Sequence, residues 1–298
     1  MVTGKVLLCG LGAVGLTYAN KLKNVCDLKI LADSQRITKY KLTPPILNDK
    51  IVNLNYITPN ETWNPDLIII STKASGLDSA IDYIKNYVND ETIIISLLNG
   101  ITSENKIAEK YGWDKVIHSY FIGHSAVRYE NKVTQDGVGK IVFGSPYKEN
   151  QNKIQKLKDF FDDKNINYEA SDDIIYSLWL KFTLNIFANQ ASAIMGLNFG
   201  EMKNEKFKTF AKKIIKEVSA IAEKEGISGY DKLEKDSMRA LMCMVDDGKT
   251  SMYQDILAKR KTEADIFSGE IIRLGEKHNI QTPYNQVMYD MLSVLEGD

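Results

Sequence analysis

The chain has 298 residues, 44% of them hydrophobic and 26% charged, with a formal net charge of −1. This length exceeds the usual size of one domain and predicts two, each with its own core. The nearly balanced charge argues against nucleic acid or a membrane surface as a partner, because both normally require an excess of basic residues. A small-molecule substrate is therefore the default expectation.

The three cysteines, Cys9, Cys26 and Cys243, are widely spaced and include no CxxC pair. Neither a disulfide framework nor a metal site is indicated, and a reducing cytoplasm fits this content. No run of the sequence approaches the roughly 20 apolar residues that a membrane-spanning helix needs.

In chain order, the first half alternates short apolar runs with helical patterns, which is typical of βαβ units on a parallel sheet. The predicted strands are residues 5–9, 28–32, 67–71, 92–97 and 116–120. The predicted helices between them are residues 15–22, 75–87 and 104–110. A two-stranded or meander addition is predicted over residues 125–143. The fold class is thus α/β, with an N-terminal doubly wound parallel sheet.

The pattern changes near residue 170. A charged amphipathic helix over residues 150–165 and a short strand over residues 167–170 are followed by a helix N-cap signal at Ser171. Beyond this point the pattern is helical throughout, and five of the six prolines precede it. We predict a dinucleotide-binding domain over residues 1–170 and an all-helical substrate and catalytic domain over residues 171–298.

A glycine-rich turn directly follows the first predicted strand. Its six residues are Gly10, Leu11, Gly12, Ala13, Val14 and Gly15, which match the GxGxxG fingerprint. Gly10 permits the tight turn, Gly12 lets the backbone approach a pyrophosphate, and Gly15 allows the helix to pack on the strand. The helix N-terminus then offers N–H groups and a positive dipole end to the phosphates. This context predicts a bound nicotinamide or flavin dinucleotide.

The end of the second strand should contact the adenosine ribose of that dinucleotide. Asp33 lies there, and an acidic residue at this place accepts a hydrogen bond from the ribose 2′-OH, which favours NAD. Three residues later, Arg36 could bind a 2′-phosphate instead, which favours NADP, or could simply be a solvated arginine at a helix start. The sequence leaves this choice open.

Two further strand ends carry polar groups. Lys73 follows the third strand and Asn99 follows the fourth, at the carboxyl edge of the sheet where open α/β folds bind ligands. The alternative is that Lys73 caps a neighbouring helix and that Asn99 with Gly100 forms an ordinary turn. The two together favour a ligand site.

The apolar helical run over residues 176–200 carries a polar stripe. Lys181, Asn185 and Asn189 recur at four-residue steps, which places them on one helix face. The alternative is the solvated stripe of an ordinary amphipathic helix, but such stripes carry several charges, whereas Asn, Ser and Thr dominate here. The stripe is typical of a hydrogen-bonding active-site wall, because unpaired burial of such groups is costly.

A second polar set lies near the C-terminus. The sequence after Thr250 predicts a long helix in which Ser251 and Glu263, just over three turns apart, face one direction. They could then face the Lys181 stripe. The alternative, favoured by composition alone, is that Glu263 is one of several solvent-facing charges.

Together these motifs resemble the ketopantoate reductases (2-dehydropantoate 2-reductases). The resemblance is carried by GLGAVG, STKA around Lys73, LLNG around Asn99, WLKFTLN around Lys181, and TSMYQD followed by RKTEADIFSG around Glu263. It covers about residues 5–291. It implies a Rossmann domain, a helical domain like the 6-phosphogluconate dehydrogenase C-terminal domain, and NADPH-dependent reduction of 2-dehydropantoate to pantoate in pantothenate biosynthesis.

The resemblance also implies roles for single residues. Lys181 would be the general acid at the ketone oxygen, and Glu263 its catalytic partner at the substrate hydroxyl. Asn185 and Asn189 would hold the 2-oxo acid substrate, and Ser251 would help to bind its carboxylate.

At the cofactor side, the resemblance implies that Lys73, Asn99 and Glu263 border both cofactor and substrate. Two departures from the family pattern bear on specificity. Phe199 occupies a position where the family often has Asn, which affects substrate identity. Asp33 occupies the place of a basic residue that holds the 2′-phosphate, so NAD is an alternative to NADP.

Two other functions stay open at this point. One is a related reductase or dehydrogenase acting on a different 2-oxo or 3-hydroxy acid, and the other is a non-catalytic nucleotide-sensing protein. A homodimer through the helical half is compatible with the sequence, although nothing in it marks the surface.

Overall fold

A computed structural model describes residues 4–123, 126–137 and 139–297 of the chain. It forms two compact units, Met1–Ile174 and Ile175–Asp298. Ser125 and Val138, which belong to the predicted meander, lie outside the described residues. None of the helices in the described part combines the length and apolar character that a membrane crossing needs.

The first unit is built on two β-sheets. Its strands are β1 Lys5–Cys9, β2 Asp27–Leu31, β3 Ile46–Leu47, β4 Lys50–Ile51, β5 Tyr56–Ile57, β6 Leu67–Ile70, β7 Ile93–Ser96, β8 Val116–Ile122, β9 Ala126–Tyr129, β10 Lys132–Gln135, β11 Lys140–Gly144 and β12 Tyr168–Ala170. The larger sheet has the order β12-β11-β8-β7-β6-β1-β2-β5, and the smaller has the order β4-β3-β10-β9.

Six neighbouring strands of the larger sheet are parallel, and their spatial order is β5, β2, β1, β6, β7 and β8. Numbered along the chain, these six have the order 3-2-1-4-5-6, which is the doubly wound dinucleotide-binding order. The predicted fold class is therefore confirmed. The order reverses between β1 and β6, and open sheets of this kind bind ligands at such a switch point.

Helices cover both faces of the larger sheet. They are α1 Ala13–Leu22, α2 Ser34–Leu42, α3 Leu77–Tyr83, α4 Ser103–Tyr111 and α5 Gln151–Asp163. Alternate residues of β1 enter different core clusters: Leu8 belongs to one and Leu7 to the other. Because both faces are buried, the central strands are continuous apolar runs, which is why they could be found from the sequence.

The smaller sheet was predicted only in part: β9 and β10 lie within the addition predicted over residues 125–143, whereas β3 and β4 were not predicted. Its first hairpin joins β3 to β4 through Asn48 and Asp49, both with positive φ angles of 45° and 64°. Asn and Asp tolerate this conformation and favour two-residue hairpin turns, so the pair was a usable signal. The predicted helix over residues 75–87 is also divided, with short 3₁₀ turns on either side of α3.

The second unit is helical, as predicted. Its helices are α6 Ile174–Leu184, α7 Gln190–Met195, α8 Glu205–Lys224, α9 Leu233–Met242, α10 Ser251–Leu257, α11 Ser268–His278 and α12 Pro283–Glu296, and α6 itself begins at the last residue of the first unit. A π-helical turn, Asn185–Asn189, joins α6 to α7. The helical run predicted to residue 200 ends at Met195, because Gly196 adopts a left-handed conformation with φ 71°.

One predicted helix is wrong in extent. The helix expected to contain both Ser251 and Glu263 ends at Leu257. Lys259 adopts a left-handed conformation with φ 50°, its N–H bonds to the Ile256 carbonyl, and the Arg260 N–H bonds to the Asp255 carbonyl. This is the Schellman pattern that closes a helix, here with lysine at the position where glycine is most common.

Candidate functional site

The glycine turn after β1 leaves no room for side chains at two positions. A Cβ at Gly10, where φ is +99°, would lie 2.5 Å from the Ser71 carbonyl oxygen. A Cβ at Gly15 would lie 2.0 Å from the Gly10 carbonyl oxygen. At Gly12, by contrast, the nearest atom would be 3.8 Å away, so glycine there is not required by packing within the protein. The turn therefore fits a cradle in which Gly12 leaves space for a diphosphate.

The electrostatics of this turn suit an anion. Gly12 is the N-cap of α1, and the first turn of that helix contains no acidic residue. Cys9, directly before the turn, is fully buried, and burial raises the pKa of its thiol to about 12, so it is neutral at physiological pH. The N–H groups and the positive dipole end of α1 therefore favour an anion at this turn.

Asp33 and Arg36 contact each other at the end of β2. The Asp33 carboxylate caps α2 by accepting a hydrogen bond of 2.7 Å from the Arg36 backbone N–H. The Arg36 Nε also lies 3.5 Å from an Asp33 carboxylate oxygen, with the two side chains 65% and 34% exposed. Asp33 is therefore both a helix cap and an accessible acceptor, and Arg36 is held beside it.

Lys73 and Asn99 follow neighbouring strands. Lys73 is the exposed residue before a 3₁₀ turn after β6, and Asn99 lies half-buried in the bend after β7, which pairs with β6 in parallel. The sheet thus brings the two strand ends to the same edge, as expected. In this structure Lys73 also occupies the N-cap position of its turn, without a side-chain cap bond.

A buried polar network lies beneath the Asn99 bend. Ser96 Oγ hydrogen bonds to Ser103 Oγ at 2.9 Å, and Ser103 Oγ donates to the buried carboxylate of Glu104 at 2.8 Å. The Leu98 N–H in turn contacts Ser96 Oγ at 3.4 Å. Sequence reasoning missed this network although its members lie within nine residues of one another, because the burial of Ser103 and Glu104 depends on the packing of α4 beside β7.

Two of the three residues of the predicted polar stripe lie in the π-helical turn, and the third lies in α6. Lys181 lies half-buried in α6, and Asn185 and Asn189 are the first and last residues of the turn. Asn189 Nδ2 lies 3.4 Å from Asn185 Oδ1, so the two amides are neighbours. The Gln190 side chain donates to the Ile186 carbonyl at 3.0 Å and so supports the irregular backbone. Single π-helical turns are frequent at functional sites.

Ser251 joins this pair of amides. Asn189 Nδ2 donates to Ser251 Oγ at 3.2 Å, and Asn189 Oδ1 accepts from the Met252 backbone N–H at 3.1 Å. Thr250, the N-cap of α10, donates to Ser192 Oγ at 3.1 Å. Asn189 is only 6% exposed and Ser251 is exposed, so Asn189 positions the cluster while Ser251 and Asn185 present polar atoms at its surface.

Glu263 lies in the second unit but not on α10. It is half-buried and directly precedes a 3₁₀ turn, Ala264–Ile266, that leads into α11. The loop from Ala258 to Glu263 therefore replaces the continuous helix that the sequence predicted. Among the residues that the structure describes, no group of three or more His, Cys, Asp or Glu could hold a metal ion.

Comparison with known proteins decides the family. The family model "Ketopantoate reductase PanE/ApbA" matches residues 6–147, and "Ketopantoate reductase PanE/ApbA C terminal" matches residues 173–296. The chain belongs to the ketopantoate reductase family. The resemblance found in the sequence is confirmed. As a member of this family, the protein is a nicotinamide-dependent oxidoreductase.

Individual relatives span the whole chain. A curated 2-dehydropantoate 2-reductase from Pyrococcus horikoshii is 28% identical, with 98% of each chain covered. A solved structure of D-mandelate dehydrogenase with NADH and anilino(oxo)acetate has a TM-score of 0.85 at 23% identity, again covering 98% of each chain. A dimeric ketopantoate reductase from Staphylococcus aureus has a TM-score of 0.78 at 20% identity and the same coverage. At these identities the two solved structures show a shared fold.

Proposed function

We propose that this family member reduces 2-dehydropantoate to pantoate with NAD(P)H, as a step of pantothenate biosynthesis, and that Lys181 is its general acid. The observation that carries the proposal is the contact of Ser251, on α10, with the pair of Asn185 and Asn189, which continues the helical path that bears Lys181. Family membership and the curated relative named 2-dehydropantoate 2-reductase support the reaction. The glycine turn supports a dinucleotide cofactor.

The chemistry divides between cofactor and protein. A bound nicotinamide cofactor in its reduced form would supply the hydride for the C2 carbon of the substrate ketone. Lys181 donates a hydrogen bond to the ketone oxygen, stabilises the negative charge that develops there, and transfers a proton to it. A fixed ammonium group in a site that excludes water needs little reorganisation, so charge stabilisation is the larger contribution.

The remaining residues hold the substrate. Asn185 hydrogen bonds to it, Asn189 holds Asn185 and Ser251 in place, and Ser251 contacts its carboxylate. Glu263 contacts its hydroxyl group. On the first unit, Lys73 and Asn99 border the cofactor, at the sheet edge where ligands of such folds bind.

The direct test is steady-state oxidation of NADPH, and then of NADH, with 2-dehydropantoate as substrate. Turnover with 2-dehydropantoate well above that with an aryl 2-oxo acid such as phenylglyoxylate supports the proposal. The reverse order would assign the enzyme to another 2-oxo acid, the kind of ligand seen in the D-mandelate dehydrogenase structure. Binding of cofactor without turnover of any 2-oxo acid would instead indicate a nucleotide sensor.

We propose that the enzyme uses NADH as well as NADPH, because of Asp33. Its accessible carboxylate can accept from a ribose 2′-OH and repels a 2′-phosphate, whereas Arg36 attracts one. Replacing Asp33 with asparagine preserves the helix cap, because Asn and Asp are equally good N-caps. We expect Asp33→Asn to raise the ratio of kcat/KM for NADPH to that for NADH by about tenfold, the scale of one charge-assisted hydrogen bond.

The matched variant is Arg36→Gln, for which the same ratio should fall. Melting temperatures of both variants establish that α2 is intact. An unchanged ratio in Asp33→Asn would remove Asp33 from cofactor recognition.

We further propose a homodimer in the cytoplasm. The dimeric relative from Staphylococcus aureus supports the homodimer. The three cysteines are free thiols, which suits a reducing compartment.

A further inference from the structure

Arg128 reaches the glycine turn from a distant part of the chain. It lies on β9, and its Nη1 donates to the carbonyl oxygen of Leu11 at 2.9 Å. Its Nε donates to the Glu130 carbonyl at 2.9 Å, which fixes the orientation of the guanidinium. The side chain itself is exposed. A permanent positive charge therefore lies against the turn whose backbone is expected to receive the diphosphate.

The position of Arg128 is set by the smaller sheet. Arg128 pairs with Val133 in the antiparallel β9–β10 hairpin, and Val133 is fully buried. Gln135, at the end of the same hairpin, accepts a hydrogen bond from the buried hydroxyl of Thr17 on α1. The hairpin is thus attached to the very helix that begins at the glycine turn, and Arg128 is held in register with it.

We propose that Arg128 is a cofactor-binding residue whose guanidinium contacts the diphosphate of the dinucleotide. This inference rests on the proposed dinucleotide-dependent function. A diphosphate carries about two negative charges, whereas the first turn of α1 offers N–H groups but no side-chain cation. A guanidinium is suited to this place, because its planar donors match phosphate oxygens in pairs and it stays charged at every physiological pH.

The location of Arg128 distinguishes a contact to the diphosphate from recognition of the 2′-phosphate. Arg128 contacts Leu11, in the turn after β1, whereas Asp33 and Arg36 lie after β2, where the adenosine ribose is expected. A contact to the diphosphate serves NADH and NADPH equally. Arg36 and Arg128 should therefore have different effects on the choice of cofactor.

The test measures binding of NADH, NADPH and ADP-ribose to the free full-length protein by isothermal titration calorimetry. The variants are Arg128→Gln and Lys132→Gln. Lys132 lies on the same hairpin, and its Nζ lies 2.6 Å from an Asp49 carboxylate oxygen. Its replacement also removes one positive charge from the hairpin, but not at the glycine turn. Melting temperatures of all three proteins report whether the hairpin stays attached.

We expect Arg128→Gln to weaken binding of all three ligands by about tenfold or more, as for a lost charge-assisted contact, with Lys132→Gln within twofold of the unchanged protein. If Arg128 only ties the hairpin to the turn, the melting temperature falls while the dissociation constants stay within twofold, which would overturn the inference. A loss confined to NADPH would overturn it too, because it would indicate a contact to the 2′-phosphate. Failure of the unchanged protein to bind any of the ligands would refute the proposed function itself.

Discussion

Replacing Lys181 with alanine is expected to lower kcat with 2-dehydropantoate by about 100-fold or more, the range typical of a lost acid catalyst. Dinucleotide affinity should change little, because the proposed cofactor turn belongs to the first unit and Lys181 to the second. The measurement is steady-state oxidation of the preferred cofactor, with its dissociation constant determined separately by calorimetry.

Two further variants separate the contributions of Lys181. Lys181→Arg keeps the positive charge but releases a proton far less readily, so it should recover charge stabilisation and lose proton transfer. Lys216→Ala removes an exposed lysine of α8 and serves as the matched control for charge. Activity of Lys181→Ala within a few fold of the unchanged enzyme would contradict the mechanism.

Replacing Gly12 with alanine is expected to weaken dinucleotide binding by about 10- to 100-fold while leaving the fold intact. A methyl group at this position meets nothing closer than 3.8 Å, and the φ and ψ angles of −70° and −168° are open to alanine. The free energy of unfolding should therefore change by about 1 kcal/mol or less. Calorimetric titration with NADH and a thermal melt give the two quantities.

Gly15→Ala provides the contrast. Its Cβ would lie 2.0 Å from the Gly10 carbonyl oxygen, so the strand and helix must separate and the melting temperature should fall. The pair distinguishes a glycine required for packing from one required for the ligand. If Gly12→Ala bound NADH as tightly as the unchanged protein, the diphosphate would not lie over this turn.

The doubly wound sheet could be predicted because its strands are buried on both faces. β6 is a run of Leu and Ile, and β7 has three consecutive Ile before Ser96; all are fully buried, and such runs stand out between helical patterns. The glycine turn could be predicted for a related reason, since Gly10 and Gly15 are fixed by contacts with the backbone itself. Local sequence and tertiary structure agree at these places.

The remaining features depend on contacts that sequence spacing does not encode. The strands β3 and β4 have two residues each, too few for an alternating pattern. The end of α10 at Leu257 depends on a left-handed Lys259, a conformation that lysine seldom adopts. Arg128 lies 117 positions from Leu11, and the two are neighbours because the β9–β10 hairpin packs beside α1.

The π-helical turn also affects how the second unit can be redesigned or aligned. Such a turn accommodates an additional residue relative to an α-helical turn, so positions after Asn189 are rotated by about 100° from those of an uninterrupted helix. A helical wheel drawn from Lys181 onwards would assign the wrong face to every residue of α7. Alignments of distant relatives in this segment should therefore allow a one-residue gap, and grafting the stripe onto a regular helix would turn its last amide away from its partners.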